Sequence, residues 1–184
     1  MTDVATRRAP ETAQQYIARL LAALGDRDPF EVLSQTASLL YSAISGLDAA
    51  ALNTPEGPGL WSVRQVIQHL SDSELVVAFR IRMVLAHDRP TLASYDQEVW
   101  AARLHYEQAD VEDALADFER LRNSTLRLLE QTSVAERQRV GLHSERGEES
   151  IEQMILNQAG HDIVHLRQIA RIRDAIRRSA GNSA

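Results

Sequence analysis

Repeated helix-start signals constrain the fold of this chain more than any other feature of its sequence. Three pairs of residues have the three-residue spacing of a capping box: Thr12 and Gln15, Ser62 and Gln65, and Ser150 and Gln153. Asp28, which is followed by a proline, and Asp110 are further candidate N-caps. Apolar residues recur after each start at intervals of three and four, which is the period of a helix with one buried face.

These signals predict a short N-terminal helix and four long ones. The expected ranges are residues 12–25, 28–46, 62–87, 110–129 and 150–178. Residues 48–60, 91–109 and 132–149 are expected as loops, with a short helix between Tyr95 and Tyr106. No alternating run is bounded by hairpin signals, so no strand is expected. The prediction is an all-α four-helix bundle with a short extra N-terminal helix, and the residues alone leave its connectivity open.

Length and composition favour one domain without cysteine or lysine chemistry. A chain of 184 residues suits a single domain over residues 1–184, with an ordered core from about residue 10 to 178. The absence of cysteine excludes disulfides and thiolate ligands, and all 20 basic residues are arginines, which excludes a Schiff-base lysine. No apolar run approaches the ~20 residues that span a bilayer. Residues 1–8 also lack the apolar core of a secretory signal, so a cytoplasmic location without membrane association is expected.

Nucleic-acid binding is disfavoured by the net charge of −6. The last predicted helix does carry a cluster of basic residues near its C-terminus: Arg167, Arg171, Arg173, Arg177 and Arg178. Cations at this end of a helix complement its dipole, which explains the cluster without a nucleic-acid partner.

Two of the six histidines share the apolar side of the last predicted helix. His161 and His165 are four residues apart, so their side chains lie one turn apart on the same face. His165 lies at the centre of the apolar stripe that includes Ile169 and Ile172, with His161 at its edge. Buried imidazoles need partners, because an unsatisfied buried polar group costs roughly 1–3 kcal/mol. This spacing is the one with which two imidazoles bind one metal ion.

His69 is the candidate third ligand. It flanks the apolar stripe of the helix predicted over 62–87, next to Ser73 and Arg80, so a neighbouring helix could bring it to the other two histidines. The alternative is a histidine pair satisfied within the protein and an unrelated third. A zincin motif is excluded because Asp162 occupies the position of its catalytic Glu.

The other three histidines are weaker candidates. His87 lies at a helix end, where a cation complements the helix dipole, and His105 is expected at the surface. His143 lies in the polar segment 141–147, which could fold over a site, since loops often carry functional residues.

Two segments that contain these histidines resemble a known family. Residues 60–74, LWSVRQVIQHLSDSE, resemble the W-[ST]-x-x-[EQ]-x-[LVI]-x-H-[LI]-x-[DE] segment of DinB-like (DinB/YfiT) proteins. Residues 161–169, HDIVHLRQI, match the second signature of the family, and Arg89-Pro90 with Ser94-Tyr95-Asp96 and Trp100 is similar to the connecting segment of one subgroup. The resemblance covers about residues 10–175.

The resemblance implies an up-down-down-up four-helix bundle that frequently forms a homodimer. It also implies a divalent metal, commonly nickel or zinc, on three histidines, which correspond here to His69, His161 and His165. Members of the family include thiol-dependent enzymes, namely mycothiol-dependent maleylpyruvate isomerase and bacillithiol transferases, and candidate metal-dependent hydrolases.

The leading functional prediction is a metal-dependent transferase or hydrolase of a small molecule, with a low-molecular-weight thiol as a possible co-substrate. A three-His metal with open positions lowers the pKa of bound water to ~7 or binds a thiol as thiolate. Four charged residues are candidates to assist: Asp72 to orient His69, Arg80 to bind a substrate carboxylate, and Glu74 and Asp96 as general bases. For each of them the alternative is a solvated or helix-paired charge.

The competing prediction is a non-catalytic metal-binding or stress-response protein whose metal is structural or sensory. A catalytic site keeps a coordination position open, whereas a structural site closes with a fourth protein ligand. The sequence offers no obvious fourth ligand, which favours catalysis.

Overall fold

The computed structural model describes residues 11–181, and the side chains of residues 11–179. Residues 1–8, in which no secretory signal is expected, lie outside the described residues. The helices and strands are, in chain order, α1 (Ala13–Leu24), α2 (Pro29–Ile44), α3 (Ala49–Asn53), α4 (Val63–Ala86), β1 (Thr91–Leu92), α5 (Gln97–Arg103), α6 (Val111–Leu129), α7 (Val134–Arg137), β2 (Val140–His143), β3 (Gly147–Ser150) and α8 (Ile151–Gly181). Within this part of the chain, no helix is long and apolar enough to cross a bilayer.

The predicted helix starts are confirmed by their capping bonds. All three capping boxes form, so that α1, α4 and α8 begin where the sequence places them. Asp28 and Asp110 accept hydrogen bonds from the first backbone amides of α2 and α6. These side chains satisfy amides that have no partner within the helix, which is why the local sequence is sufficient to define each start.

The four long helices α2, α4, α6 and α8 form the bundle, and α1 packs on α8. Near its start, α4 contacts the start of α6, where Arg64 donates to the carbonyl of Ala109. Near its end, α4 contacts the later part of α6, where Arg82 donates to Ser124. These two helices are therefore parallel, because the crossover that contains β1 and α5 returns the chain to the end from which α4 began.

The other two helices run in the opposite direction. The start of α8 lies beside the end of α4, where Arg139, just before β2, donates to the carbonyls of Val84 and His87. Further along α8, Gln168 and Arg171 bond to Glu56, which precedes α4. Helix α2 is antiparallel to α6, because Leu33 near its start contacts Arg122 and Tyr41 near its end contacts Glu119, earlier on α6. The up-down-down-up arrangement is thus confirmed, and so is the all-α bundle with its extra N-terminal helix.

The expectation that residues 91–109 and 132–149 contain no strand is wrong. β2 and β3 form an antiparallel hairpin, and β1 pairs in parallel with β2. The strands are short and polar, and β2 contains Gly141, so they carry no local strand pattern. Only β1 is distant in sequence from β2, and the two strands lie close together: a Cβ at position 141 would lie 2.6 Å from a methyl carbon of Leu92. The expected loops 48–60 and 132–149 also contain short helices, α3 and α7 respectively.

A buried arginine joins all four helices of the bundle. Arg122 of α6 donates to Glu74 of α4 at 2.8 and 3.0 Å, to Asp162 of α8 at 2.7 Å and to the backbone carbonyl of Leu33 in α2 at 3.0 Å. The three charged side chains are at most 3% exposed. Burial lowers the pKa of Arg122, but the two carboxylates outweigh this effect and raise the pKa above its ordinary value.

We expect Arg122→Met to destabilise the protein by about 3–5 kcal/mol, because it leaves two buried carboxylates without their cation. Urea denaturation measures this loss. The control is Arg120→Ala on the same helix, whose exposed pair with Asp117 should contribute within about 0.5 kcal/mol. Similar free energies of unfolding for the two variants would contradict the role assigned to Arg122.

Helix α1 reaches α8 through a glycine. A Cβ at position 160 would lie 2.2 Å from the carbonyl oxygen of Leu20, so only glycine allows this distance between the helix backbones. Gly160 directly precedes His161, and this contact therefore places α1 beside the histidine pair.

Helix propensity alone predicts that Gly160→Ala stabilises the protein by about 1 kcal/mol. Because the added methyl meets backbone atoms, we expect instead a loss of about 1–3 kcal/mol in the free energy of unfolding. Ala170→Gly at an exposed position of α8 is the control, with an expected loss of about 1 kcal/mol from propensity. A Gly160→Ala protein as stable as wild type would show that α1 can move away freely.

Candidate metal centre

Three histidines from two helices meet inside the bundle. His69 comes from α4, and His161 and His165 come from adjacent turns of α8. One potential ligand atom from each ring lies within 4.8 Å of those of the other two. The ring centroids are 4.4 to 5.1 Å apart, and Nε2 of His69 lies 3.0 Å from Nε2 of His161. The structure therefore brings together the three residues predicted as metal ligands.

The three imidazoles are neutral around neutral pH. Burial lowers the pKa of His69 and of His161 well below the ordinary value, and repulsion from His165 adds to the effect in both. Burial also lowers the pKa of His165 to about 4. A neutral imidazole carries a lone pair on one ring nitrogen, which is the form that binds a metal ion.

A chain of hydrogen bonds orients one of these rings. Nδ1 of His165 lies 2.9 Å from the side-chain oxygen of Gln168, to which it donates, and the Gln168 amide donates to Glu56 at 3.1 Å. Arg171 donates to the other carboxylate oxygen of Glu56 at 2.6 Å. The proton of His165 is thereby held on Nδ1, and its Nε2 lone pair is left for a ligand.

The other two rings lack such partners. Nδ1 of His69 and Nδ1 of His161 are buried and have no hydrogen-bond partner among the residues that the structure describes. Trp61 packs against His69 with ring centroids 4.9 Å apart and shields it on one side. The nitrogens of these two rings that face each other are the Nε2 atoms, 3.0 Å apart, and a neutral imidazole with its proton on Nδ1 offers the Nε2 lone pair to a cation. The donor set therefore fits a divalent metal with imidazole ligands.

Comparisons with known proteins agree with this geometry. The sequence pattern of the DinB superfamily matches residues 33–169, which include all three histidines. This chain belongs to the DinB superfamily. The resemblance seen in its two sequence signatures is thus confirmed.

Two relatives of this DinB-superfamily chain are named as candidate metal-dependent hydrolases. A candidate metal-dependent hydrolase from Oceanobacillus iheyensis is 32% identical over 131 residues, which are 71% of this chain and 76% of that protein. A candidate metal-dependent hydrolase from Bacillus mycoides is 30% identical over 137 residues, which are 74% of this chain and 79% of that protein.

A solved structure has the same fold. YfiT from Bacillus subtilis, described as a probable metal-dependent hydrolase with an unusual four-helix bundle topology, superposes with a TM-score of 0.74 at 24% identity. The superposition covers 95% of this chain and 93% of YfiT.

The four charged candidates lie in different surroundings. Asp72 accepts hydrogen bonds from Tyr106 and Gln68, and it makes no hydrogen bond to His69. Glu74 belongs to the buried network of Arg122, and Asp96 accepts from the first amides of α5 as its N-cap. Asp72 and Asp96 thus have structural partners, whereas Oε1 of Glu74 is buried without a hydrogen-bond partner among the described residues. The catalytic roles of these carboxylates stay predictions.

Arg80 and His143 line a cleft that reaches His161. His143 is buried on β2, so the predicted folding of segment 141–147 over the site agrees with its position. Burial and the nearby charges of Arg146 and Arg80 lower the pKa of His143 to about 4. His105 is exposed, as expected, and His87 lies at the C-terminal end of α4, as expected. Asp162 is directed toward Arg122.

Sequence reasoning missed the residues that support the histidines. Gln168 lies inside the second signature, three residues after His165, and this helical spacing was the available signal for its hydrogen bond. Glu56 lies in a loop 112 residues away from Gln168, and no local pattern pointed to it.

We expect Gln168→Ala to weaken divalent-metal binding by about 10- to 100-fold, because the His165 ring loses the partner that holds its tautomer. Competition with a fluorescent chelator measures the affinity. Arg167→Ala, at the exposed neighbouring position, is the control and should bind as wild type does. Equal metal affinities for the two variants would contradict the role assigned to Gln168.

Proposed function

We propose that this chain is a divalent-metal-dependent hydrolase of a small molecule, with His69, His161 and His165 as the metal ligands. The observation that carries the proposal is the convergence of three neutral imidazoles within 4.8 Å inside the bundle. The names of the relatives point to the same class of reaction.

Nickel and zinc are the metals that we propose, because imidazole nitrogen suits both ions. The described part of the chain brings no carboxylate or fourth histidine into the cluster. Three protein ligands leave a position for water or substrate, and this supports catalysis rather than a structural metal.

The protein's own residues would position the reaction. Gln168 and Glu56 hold the His165 ring, while Trp61 covers one side of His69 and limits the approach of water there. The side open to a small molecule is the cleft at His161. A divalent ion bound at these histidines supplies Lewis-acid polarisation and lowers the pKa of a bound water to ~7.

Thiol transfer is an alternative reaction that we propose for the same site, because a divalent ion held by the three histidines would bind a low-molecular-weight thiol as thiolate. The proposal that the metal is structural or sensory predicts instead a loaded protein without activity on any substrate. Homodimerisation remains a prediction from the family resemblance.

We expect the untagged protein to carry about one divalent ion per chain, and His165→Ala to lose it, because two imidazoles bind a divalent ion much more weakly than three. Inductively coupled plasma mass spectrometry measures the metal. The control is His105→Ala, which changes an exposed histidine on a different segment and should keep the wild-type metal content.

Activity is then measured on the nickel- and zinc-loaded protein with panels of ester, amide and thiol-transfer substrates. Turnover that His165→Ala abolishes and His105→Ala keeps supports the proposal. Wild-type protein that binds no divalent ion in stoichiometric amount would overturn it, and a loaded protein that is inactive on all three panels would favour the structural or sensory metal.

A further inference from the structure

A cleft of about 420 Å³ opens beside the three-histidine cluster, with His161 among its walls. Helices α1, α4 and α8, the β2–β3 hairpin and the segment between β1 and α5 form it together. This volume lies within the range of small-molecule sites. Tyr16 and Tyr95 supply aromatic surface, and three arginines also line the cleft: Arg19, Arg80 and Arg146.

Arg80 is an arginine of this cleft that lacks a carboxylate partner. It is 7% exposed, and no Asp or Glu oxygen in the described part of the chain lies within 4.0 Å of its guanidinium. Its hydrogen bond goes to the backbone carbonyl of Ala93. Burial, and then repulsion from Arg146, lower the pKa of Arg80, while the carboxylates of Glu149 and Glu145, which make no ion pair with it, raise the pKa too little to offset these effects.

Arg146 adds a second unused donor to the same cleft. Its Nη2 donates to Glu149 at 2.7 Å, but its Nε is buried and has no partner among the described residues. Glu149 also accepts from Asn157. Arg19 is held in its own ion pair by Glu11. Glu11 and Glu149 therefore serve other arginines, and Glu145, which also lines the cleft, forms no ion pair with Arg80 within 4.0 Å.

We propose that the cleft binds its small-molecule ligand through an oxyanion group, a carboxylate or a phosphate, held jointly by Arg80 and Arg146. An oxyanion supplies the opposite charge that Arg80 lacks and accepts a hydrogen bond from Nε of Arg146. Guanidinium groups bind such oxyanions through short, charge-assisted hydrogen bonds.

If this ligand is the substrate, which rests on the proposed function, the substrate is a small molecule that carries a carboxylate or a phosphate. A molecule anchored at the two arginines extends along the tyrosines toward His161, which lines the same cleft. Its neutral analogue would leave the cationic end of the cleft unpaired and bind more weakly, because a buried charge without a partner is unfavourable.

The experiment titrates the metal-free full-length chain, so that anions cannot bind through a metal. Arginine side-chain Nε–Hε signals are followed by NMR during addition of benzoate, of its neutral isostere benzamide, and of inorganic phosphate. We expect benzoate or phosphate to shift the Arg80 and Arg146 signals in a saturable manner, and benzamide to leave them unchanged. The benzoate and phosphate arms tell a carboxylate preference from a phosphate preference.

Arg80→Gln and Arg146→Gln should each weaken binding of the preferred anion at least about tenfold, which is the expected effect of one charge-assisted contact. Arg120→Gln, an exposed position on α6, makes the same change of charge and should bind as wild type does. Circular dichroism checks the fold of each variant. If Arg80→Gln does not fold, the wild-type titration and Arg146→Gln decide.

The proposal is overturned if neither anion shifts the two signals, if benzamide binds as tightly as benzoate, or if Arg120→Gln weakens binding equally. Failure here is distinct from failure of the proposed function, which metal content and turnover decide. If the protein binds the metal but neither anion, only the proposed oxyanion site is contradicted. If the protein binds the anions but never a metal, the oxyanion site is supported and the proposed metal-dependent activity is contradicted.

Discussion

The buried guanidinium of Arg122 is the interaction on which the arrangement of the bundle depends. Apolar helix faces are attracted without direction, so they tolerate sliding and rotation. Arg122 instead makes directional bonds to a carboxylate of α4, a carboxylate of α8 and a carbonyl of α2. A shift along any of these helices would leave a charge buried without a partner, which costs several kcal/mol. The network therefore sets the register of the helices against one another.

That register determines where the histidines meet. Glu74 lies five residues after His69 on α4, and Asp162 directly follows His161 on α8, so the carboxylates held by Arg122 are covalently close to two of the rings. Gln168 and Glu56 hold the third ring from the other side. The cluster is thus built into a rigid core, where burial keeps the imidazoles neutral and able to bind a cation.

Local signals account for what could be predicted. A capping box, an N-cap Asp or a four-residue histidine spacing involves atoms within one helical turn, so α1, α2, α4, α6, α8 and the His161/His165 pair followed from the sequence. The strands did not, because they are short and have no alternating apolar pattern, and β2 pairs not only with the neighbouring β3 but also with β1, about 50 residues earlier in the chain. The roles suggested for Asp72, Glu74 and Asp96 stay predictions, because the hydrogen-bond partners that these carboxylates have, Tyr106, Arg122 and the α5 amides, come from other segments or from a cap.

The sequence by itself determined the helices, the core-facing histidine pair and, through its two signatures, the family and the third histidine. Only the tertiary structure decided that Gln168 reaches Glu56, that Gly160 admits α1, and that Arg80 lies in a cleft without a counter-charge. The physical reason is the separation along the chain over which each interaction acts. Capping and helical periodicity act over three or four residues, whereas hydrogen bonds, close backbone contacts and burial join residues that the chain separates by tens of positions.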